Sequence, residues 1–186
     1  MKIHSNFTWQ WFLVTCIGFL VSLFLLEIGE KPDLTWRDGM MGGTLIGCAQ
    51  ALVLCGNFRK SWRWILACAL SWALMASVGL GVVGWFAPHT QLIPLRLFYG
   101  AIWGTLAGAI LGVAQTLVLK PNVYFSERWI PFSMGCWGIA LALGWAVGGV
   151  LYSYTHVFLS DVIGLVVTWM IVAITTGRKL IELLKY

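Results

Sequence analysis

Two glutamines, Gln50 and Gln115, are the polar side chains best placed for binding inside an otherwise apolar chain. Each follows a glycine, Gly47 or Gly112, by three residues and therefore shares that glycine's face of a predicted helix. A carboxamide accepts and donates hydrogen bonds but carries no titratable proton. In hydrocarbon it must be hydrogen-bonded, and a bond between helices contributes roughly 0.6–2 kcal/mol. We expect each glutamine to clamp neighbouring helices, with one polar site shared by both as the alternative.

The other reactive residue types favour no enzymatic mechanism. The sequence has no HExxH motif, nucleophile elbow or phosphate-binding loop, and its five cysteines form no CxxC pair. His89, His156 and Asp161 are predicted on the outer side, where they could bind a metal ion or a pigment. Ordinary solvation at the membrane interface is the favoured interpretation of these three residues. The sequence therefore predicts a protein that is not an enzyme and has no cofactor or metal.

Two apolar segments carry glycine at every fourth position, which places the glycines along one face of a helix. The ladders are Gly39, Gly43 and Gly47 in the first segment, and Gly100, Gly104, Gly108 and Gly112 in the second. Lipid supplies no hydrophobic force between helices, so helices associate there by close backbone approach. We expect both ladders to act as glycine zippers in helix packing; the alternative is a face that lines a pore or contacts a ligand.

The composition indicates that these helices lie in a membrane. Of 186 residues, 60% are hydrophobic and only 10% are charged, and the mean hydropathy is +0.85. A soluble domain carries roughly 25% charged residues. Six apolar segments approach the ~20 residues that cross a hydrocarbon core. They are Trp9–Ile28, Gly39–Cys55, Trp64–Phe86, Leu97–Leu119, Trp129–Tyr152 and Val157–Thr176.

The loop charges predict the orientation of these spans. Nine lysines and arginines fall at the two termini and in the second and fourth loops, whereas the loops on the other side hold only Lys31, Arg37 and Arg96. The positive-inside rule therefore places both termini in the cytoplasm. Tryptophans near both ends of the spans predict an aromatic belt at each interface. Those near the cytoplasmic ends are Trp9, Trp11, Trp62, Trp64 and Trp129, and those near the outer ends are Trp36 and Trp85. No Asp, Glu, Lys, Arg or His lies in the middle of a predicted span, which disfavours an ion-coupled transporter.

The densest group of cytoplasmic cations is Arg59, Lys60 and Arg63. Anionic lipid headgroups attract each such residue by about 1 kcal/mol. We therefore expect contact with anionic lipids, with a soluble partner that has an acidic face as the alternative. The net charge of +5 follows from the positive-inside bias, so a nucleic-acid partner is not predicted.

The chain contains an internal repeat. Residues 39–84 align without a gap with residues 104–149, and the identical pairs include Gln50 with Gln115 and Trp64 with Trp129. Fainter similarity extends the pattern to three two-helix units at about 8–55, 61–119 and 126–184. In the sixth span, Thr168, Val172, Thr176 and Lys179 are predicted at the positions of Gly39, Gly43, Gly47 and Gln50. An even number of helices in each unit makes the repeats parallel, related by an axis along the membrane normal.

One motif within the repeat resembles a known group of proteins. Gly39–Leu54 and Gly104–Leu119 both read Gly-xxx-Gly-xxx-Gly-x-Ala-Gln-x-Leu-Val-Leu, ahead of a loop and a tryptophan-containing helix. This pattern is similar to that of repeat-containing multi-pass membrane proteins common in cyanobacteria. The resemblance implies no activity. It implies a bacterial plasma (inner) membrane or, for a cyanobacterial protein, the thylakoid membrane.

Together these features predict a single integral membrane domain over residues 1–186, an all-α bundle of six transmembrane helices with both termini in the cytoplasm. The predicted function is that of a non-enzymatic membrane subunit, a scaffold, assembly or interaction component that contacts lipid and other membrane-protein subunits. The alternative is a passive channel or a substrate-binding transport subunit for a small neutral or amphipathic molecule, which would use Gln50 and Gln115.

Overall fold

The computed structural model describes residues 6–26, 35–56, 60–80 and 90–184. Within those ranges the chain forms six α-helices and one short 3-10 turn, and no β-strand. The helices are α1 Phe7–Leu25, α2 Trp36–Leu54, α3 Trp62–Ser77, α4 Ile93–Leu119, α5 Trp129–Thr155 and α6 Leu159–Leu184, and the 3-10 turn is Ser126–Arg128. The predicted all-α class is confirmed.

Helix α3 is shorter than predicted because the chain turns at Gly79. It ends at Ser77, whereas the predicted span continued to residue 86, and residues 81–89 lie outside the described part of the chain. The N–H of Gly79 donates to the Ala76 carbonyl at 3.2 Å, and that of Leu80 to the Met75 carbonyl at 3.0 Å. These are the two bonds of a Schellman motif. Gly79 adopts a φ of +67°, a conformation that glycine reaches without steric penalty.

Four helical segments are long and apolar enough to cross a membrane: α1, α4, α6 and Ser126–Thr155, which joins the 3-10 turn to α5. Helix α2 has a polar start, where the backbone N–H and hydroxyl of Thr35 donate to Asp38 at 2.8 and 2.6 Å. Helix α3 has 16 residues, fewer than the ~20 that span a hydrocarbon core. The four segments fit an integral membrane protein, and the predicted count of six spans is not confirmed by these criteria.

The six helices form a closed ring, in which each helix contacts the next along the chain and α6 returns to α1. Neighbouring helices run antiparallel. For example, Gly104 in α4 lies against Trp137 of α5, whereas Gly112, later in α4, lies against Ile130, earlier in α5. The ring encloses one axis, on which core side chains from all six helices meet.

The ladder glycines lie where α2 approaches α3 and where α4 approaches α5. A Cβ atom added at Gly39 would lie 2.6 Å from the carbonyl oxygen of Trp72. One added at Gly108 would overlap the carbonyl oxygen of Ser133. Since both obstacles are backbone atoms, no side-chain rotation could relieve the overlap. The helix pairs can therefore pack this closely only without side chains at these positions.

Three of the five tryptophans assigned to the cytoplasmic side of the aromatic belt lie in the core instead. Trp11, Trp64 and Trp129 are each 1% exposed, whereas Trp9 and Trp62 are 63% and 54% exposed. Residues two apart in a helix point in nearly opposite directions, since each residue turns the helix by about 100°. Only one member of each Trp-x-Trp pair can therefore face lipid. The belt prediction is wrong for the three buried residues.

Candidate functional site

Gln50 and Gln115 both line one small cavity on the ring axis. All six helices contribute to its lining, which consists of Trp11, Ile46, Gln50, Trp64, Cys68, Trp72, Leu111, Gln115, Trp129, Trp137, Trp169, Val172 and Thr176. The structure therefore brings the two predicted site residues into the wall of a single cavity. Both are also hydrogen-bonded to neighbouring helices, so the arrangement has features of the predicted clamp and of the alternative shared site.

Gln50 connects α2 to the helices on both sides of it. Its Oε1 accepts a hydrogen bond from the indole N–H of Trp64 in α3 at 2.8 Å, and its Nε2 donates to Oγ1 of Thr15 in α1 at 3.2 Å. The thiol of Cys68 also approaches Oε1, at 3.8 Å. Gln50 is buried, and an unpaired amide group there would cost about 1–3 kcal/mol. The side chain thus ties α1 and α3 to α2.

Gln115 makes the corresponding bonds one helix pair further along. Its Oε1 accepts from the indole N–H of Trp129 in α5 at 2.9 Å, and its Nε2 donates to Sγ of Cys68 in α3 at 3.8 Å. Cys68 therefore lies between the two amides and contacts both. The N–H to sulfur bond is long and weak, so the Trp129 bond is the stronger of the two made by Gln115.

A third indole forms a similar bond to α6. Nε1 of Trp11 donates to Oγ1 of Thr176 at 3.0 Å, and that hydroxyl donates to the Val172 carbonyl at 2.6 Å. Three indole–acceptor pairs thus join α6 to α1, α2 to α3 and α4 to α5. Lys179, by contrast, forms an ion pair near the protein surface. Thr176, rather than Lys179, is therefore the α6 residue that accepts from an indole as Gln50 and Gln115 do.

A second aromatic layer lies about two helical turns along the axis from the three indoles. Trp169 of α6 contacts Trp72 and Trp137, with ring centroids 5.6 and 5.1 Å apart, and stacks on Phe19 of α1 at 5.0 Å. Offset-stacked and edge-to-face pairs at these distances are the favoured geometries for aromatic rings. The cavity therefore has an aromatic layer on one side and the indole–amide layer on the other.

An ion pair that sequence reasoning missed lies near the opposite end of α4 from Gln115. Nη1 of Arg96 contacts Oδ1 of Asp161 at 2.6 Å, and the two side chains are 4% and 15% exposed. Nε of Arg96 donates to the Thr90 carbonyl at 2.7 Å, and Nη1 reaches the Trp145 carbonyl at 3.4 Å. The guanidinium is therefore compensated by one carboxylate and two backbone acceptors.

Arg96 was predicted in a loop outside the fourth span, but α4 begins at Ile93 and includes it. A signal for its burial was present in α5, where two consecutive glycines face the pair. A Cβ at Gly149 would lie 2.5 Å from Cδ of Arg96, and one at Gly148 would lie 2.9 Å from Oδ1 of Asp161. The Gly-Gly step thus provides the space in which the two charges meet.

The structure describes two of the three cations predicted to contact anionic lipid headgroups. Lys60 and Arg63 are exposed, and Arg59 lies outside the described residues. The guanidinium of Arg63 lies 5.7 Å from the ring centroid of Trp62, and that of Arg128 lies 4.6 Å from that of Phe125. These arginines therefore combine a cation with an adjacent exposed aromatic ring, a combination suited to the membrane interface.

Within the described ranges, no group of three or more His, Cys, Asp or Glu side chains could hold a metal ion. Asp161 is paired with Arg96, His156 ends α5 with a φ of +55°, and His89 lies outside the described residues. The alternative outer-side site therefore cannot be assembled from the described part of the chain.

Comparisons of the chain with protein-family models, with curated proteins and with solved structures find no match. The fold alone defines the class: an all-α protein with four helical segments suited to a membrane and a bonded polar layer on the axis of its helix ring.

Proposed function

We propose that this chain is a non-enzymatic, multi-pass membrane subunit that serves as a scaffold, assembly or interaction component of a membrane complex. One observation carries the proposal: the polar side chains on the ring axis are hydrogen-bonded to side chains of neighbouring helices. Such an interior holds helices together. A stable helix bundle of this kind is what a scaffold supplies to its partners.

The proposal takes all six helices as spans, with both termini in the cytoplasm. Support comes from the closed antiparallel ring, in which α2 and α3 pack alongside helices that are long enough to cross. The three indole–acceptor pairs support three related two-helix units about one axis. The backbone contacts of the ladder glycines support their role as glycine zippers.

The outer surface of the ring fits contact with lipid or with other membrane subunits. Large apolar side chains are exposed on it, among them Phe24, Leu52, Leu70, Leu117 and Ile139. A lipid bilayer, or an apolar helix of a partner, would cover such a surface. The membrane is the bacterial inner membrane or, as the sequence resemblance implies, the thylakoid. Anionic headgroups would meet the exposed cations Lys60 and Arg63.

The second candidate is a passive channel or transport subunit for a small neutral or amphipathic molecule. The specific observation in its favour is that Gln50 and Gln115 line the same central cavity. The two candidate functions make different predictions for the glutamine variants. A clamp contributes to the stability of the protein, whereas a solute site contributes to the flux of solute.

The decisive experiment uses Gln50→Leu, Gln115→Leu and the double variant in proteoliposomes and in mild detergent. The scaffold proposal predicts that wild-type vesicles pass water, glycerol and urea no faster than protein-free vesicles in stopped-flow light scattering. It also predicts that each variant loses about 1 kcal/mol of unfolding free energy. Solute flux in the wild type that the variants lose at unchanged stability would contradict the scaffold and establish the transport candidate.

A further inference from the structure

The cavity on the ring axis is small. The space that the centre of a water-sized molecule can occupy within it is about 20 Å³. Water fits in such a space, because holding one molecule takes roughly 10–15 Å³ of volume occupied by the water itself. Among the described residues, no charged side chain lines it. This lining suits a small neutral occupant such as water.

The two amides each retain one hydrogen-bond donor. A carboxamide nitrogen carries two hydrogens. Nε2 of Gln50 uses one of them on Thr15, and Nε2 of Gln115 uses one on Cys68. The second hydrogen on each nitrogen has no partner among the described residues. A buried donor left without a partner costs about 1–3 kcal/mol. A hydrogen-bond acceptor bound in the cavity would therefore stabilise the protein.

The cavity arises because α6 carries smaller side chains than α2 and α4 at the same levels of the ring axis. At the level of Gln50 and Gln115, α6 supplies the shorter Thr176. One turn earlier, where α2 and α4 supply Ile46 and Leu111, α6 supplies Val172. Both α6 side chains are smaller than those at the matching positions. Volume is therefore missing on the α6 side of the axis, opposite the two amides.

We propose that this cavity binds one water molecule as a structural ligand. Water has two lone pairs, which match the two remaining N–H donors of Gln50 and Gln115. Its two hydrogens match the free acceptor capacity on Oγ1 of Thr176 and Oε1 of Gln115, each of which accepts one bond from an indole. A site of this size with several polar partners meets the conditions for a buried, ordered water. Such a ligand bridges α2, α4 and α6, which the direct bonds do not join to one another.

Radiolytic footprinting in ¹⁸O-labelled water tests the proposal on the wild-type protein. Brief X-ray exposure splits bound water into hydroxyl radicals, which oxidise adjacent side chains even when bulk solvent cannot reach them. Trp145 is the matched control, since it is as buried as Trp64 and Trp129 but lies outside the lining formed by the described residues. We expect Trp64 and Trp129 to acquire ¹⁸O several-fold faster than Trp145.

Val172→Ile provides a second measurement. It adds one methylene group to the cavity and places in α6 the residue type that α2 already has at Ile46. The oxidation of Trp64 and Trp129 should then fall to the rate of Trp145. Equal rates for all three tryptophans in the wild type would overturn the proposal, because they would show a dry cavity. Oxidation of Trp64 and Trp129 that stays fast in Val172→Ile would also overturn it, because the radicals would then not come from water in this cavity.

Discussion

Replacing Gly108 by leucine should prevent the helix ring from forming, and Gly108→Ala should lower the unfolding free energy by about 3 kcal/mol, at the upper end of overpacking effects. A Cβ at this position would overlap the Ser133 carbonyl oxygen and lie 2.8 Å from Cα of Met134. Because both are backbone atoms of α5, the strain can be relieved only if α4 and α5 separate. Thermal unfolding in mild detergent, followed by circular dichroism, measures the effect.

Gly135→Ala is the matched control, because a Cβ at Gly135 meets nothing within 4 Å. Alanine there should leave stability unchanged or raise it by up to about 1 kcal/mol through helix propensity. Gly43→Ala should resemble Gly108→Ala, since a Cβ at Gly43 would lie 2.8 Å from the Cys68 carbonyl oxygen. If Gly108→Leu melted like the wild type, the glycine contacts between α4 and α5 would be refuted.

Asp161→Asn should destabilise the protein by about 3–5 kcal/mol, the usual effect of removing one partner from a buried ion pair. The change preserves the shape of the side chain but leaves the Arg96 guanidinium, only 4% exposed, without its carboxylate. Adding Arg96→Met should then restore most of the lost stability, because no uncompensated charge remains buried. Thermal unfolding of the two single variants and the double variant gives the coupling free energy.

The exposed pair between Lys179 and Glu182 is the internal control for this prediction. Its separation is 2.7 Å, similar to that of the buried pair, but Glu182 is 58% exposed. Glu182→Gln should therefore change stability by less than about 1 kcal/mol. Equal effects of Asp161→Asn and Glu182→Gln would mean that Arg96 is solvated and that the buried ion pair between α4 and α6 is not formed.

Several features of the helix interior could be predicted from the sequence, because they depend on the spacing of residues within one helix. Glycine at every fourth position predicts one uncovered helix face, and the spacing of Gln50 after Gly47 places the amide on that face. Composition predicted an all-α protein for a membrane. Both glutamines could therefore be singled out from their setting in apolar helices, without knowledge of which helices they contact.

The partners of these residues could not be predicted, because they depend on how distant segments meet. Trp64 was assigned to the membrane interface by its place at the end of an apolar run, but the helix turns it inward to Gln50. Arg96 was assigned to a loop because charge marks the ends of spans. Its partner Asp161 is brought near only because α4 and α6 both pack on α5. In both cases the sequence identified the polar side chain but not the residue to which it bonds.

The number of membrane crossings is tested most directly by a reporter fusion in the loop at Asn57. If α2 and α3 both cross, with the N terminus in the cytoplasm, Asn57 is cytoplasmic. If only the four long segments cross, α2 and α3 stay on the outer side and Asn57 is external. Fusions at Asn122 and His89 are calibration points, because both topologies place Asn122 inside and His89 outside. A ring of six spanning helices predicts a cytoplasmic signal at Asn57. The positive-inside rule predicts the same location for its neighbours Arg59, Lys60 and Arg63. An external signal at Asn57 would contradict the six-span ring.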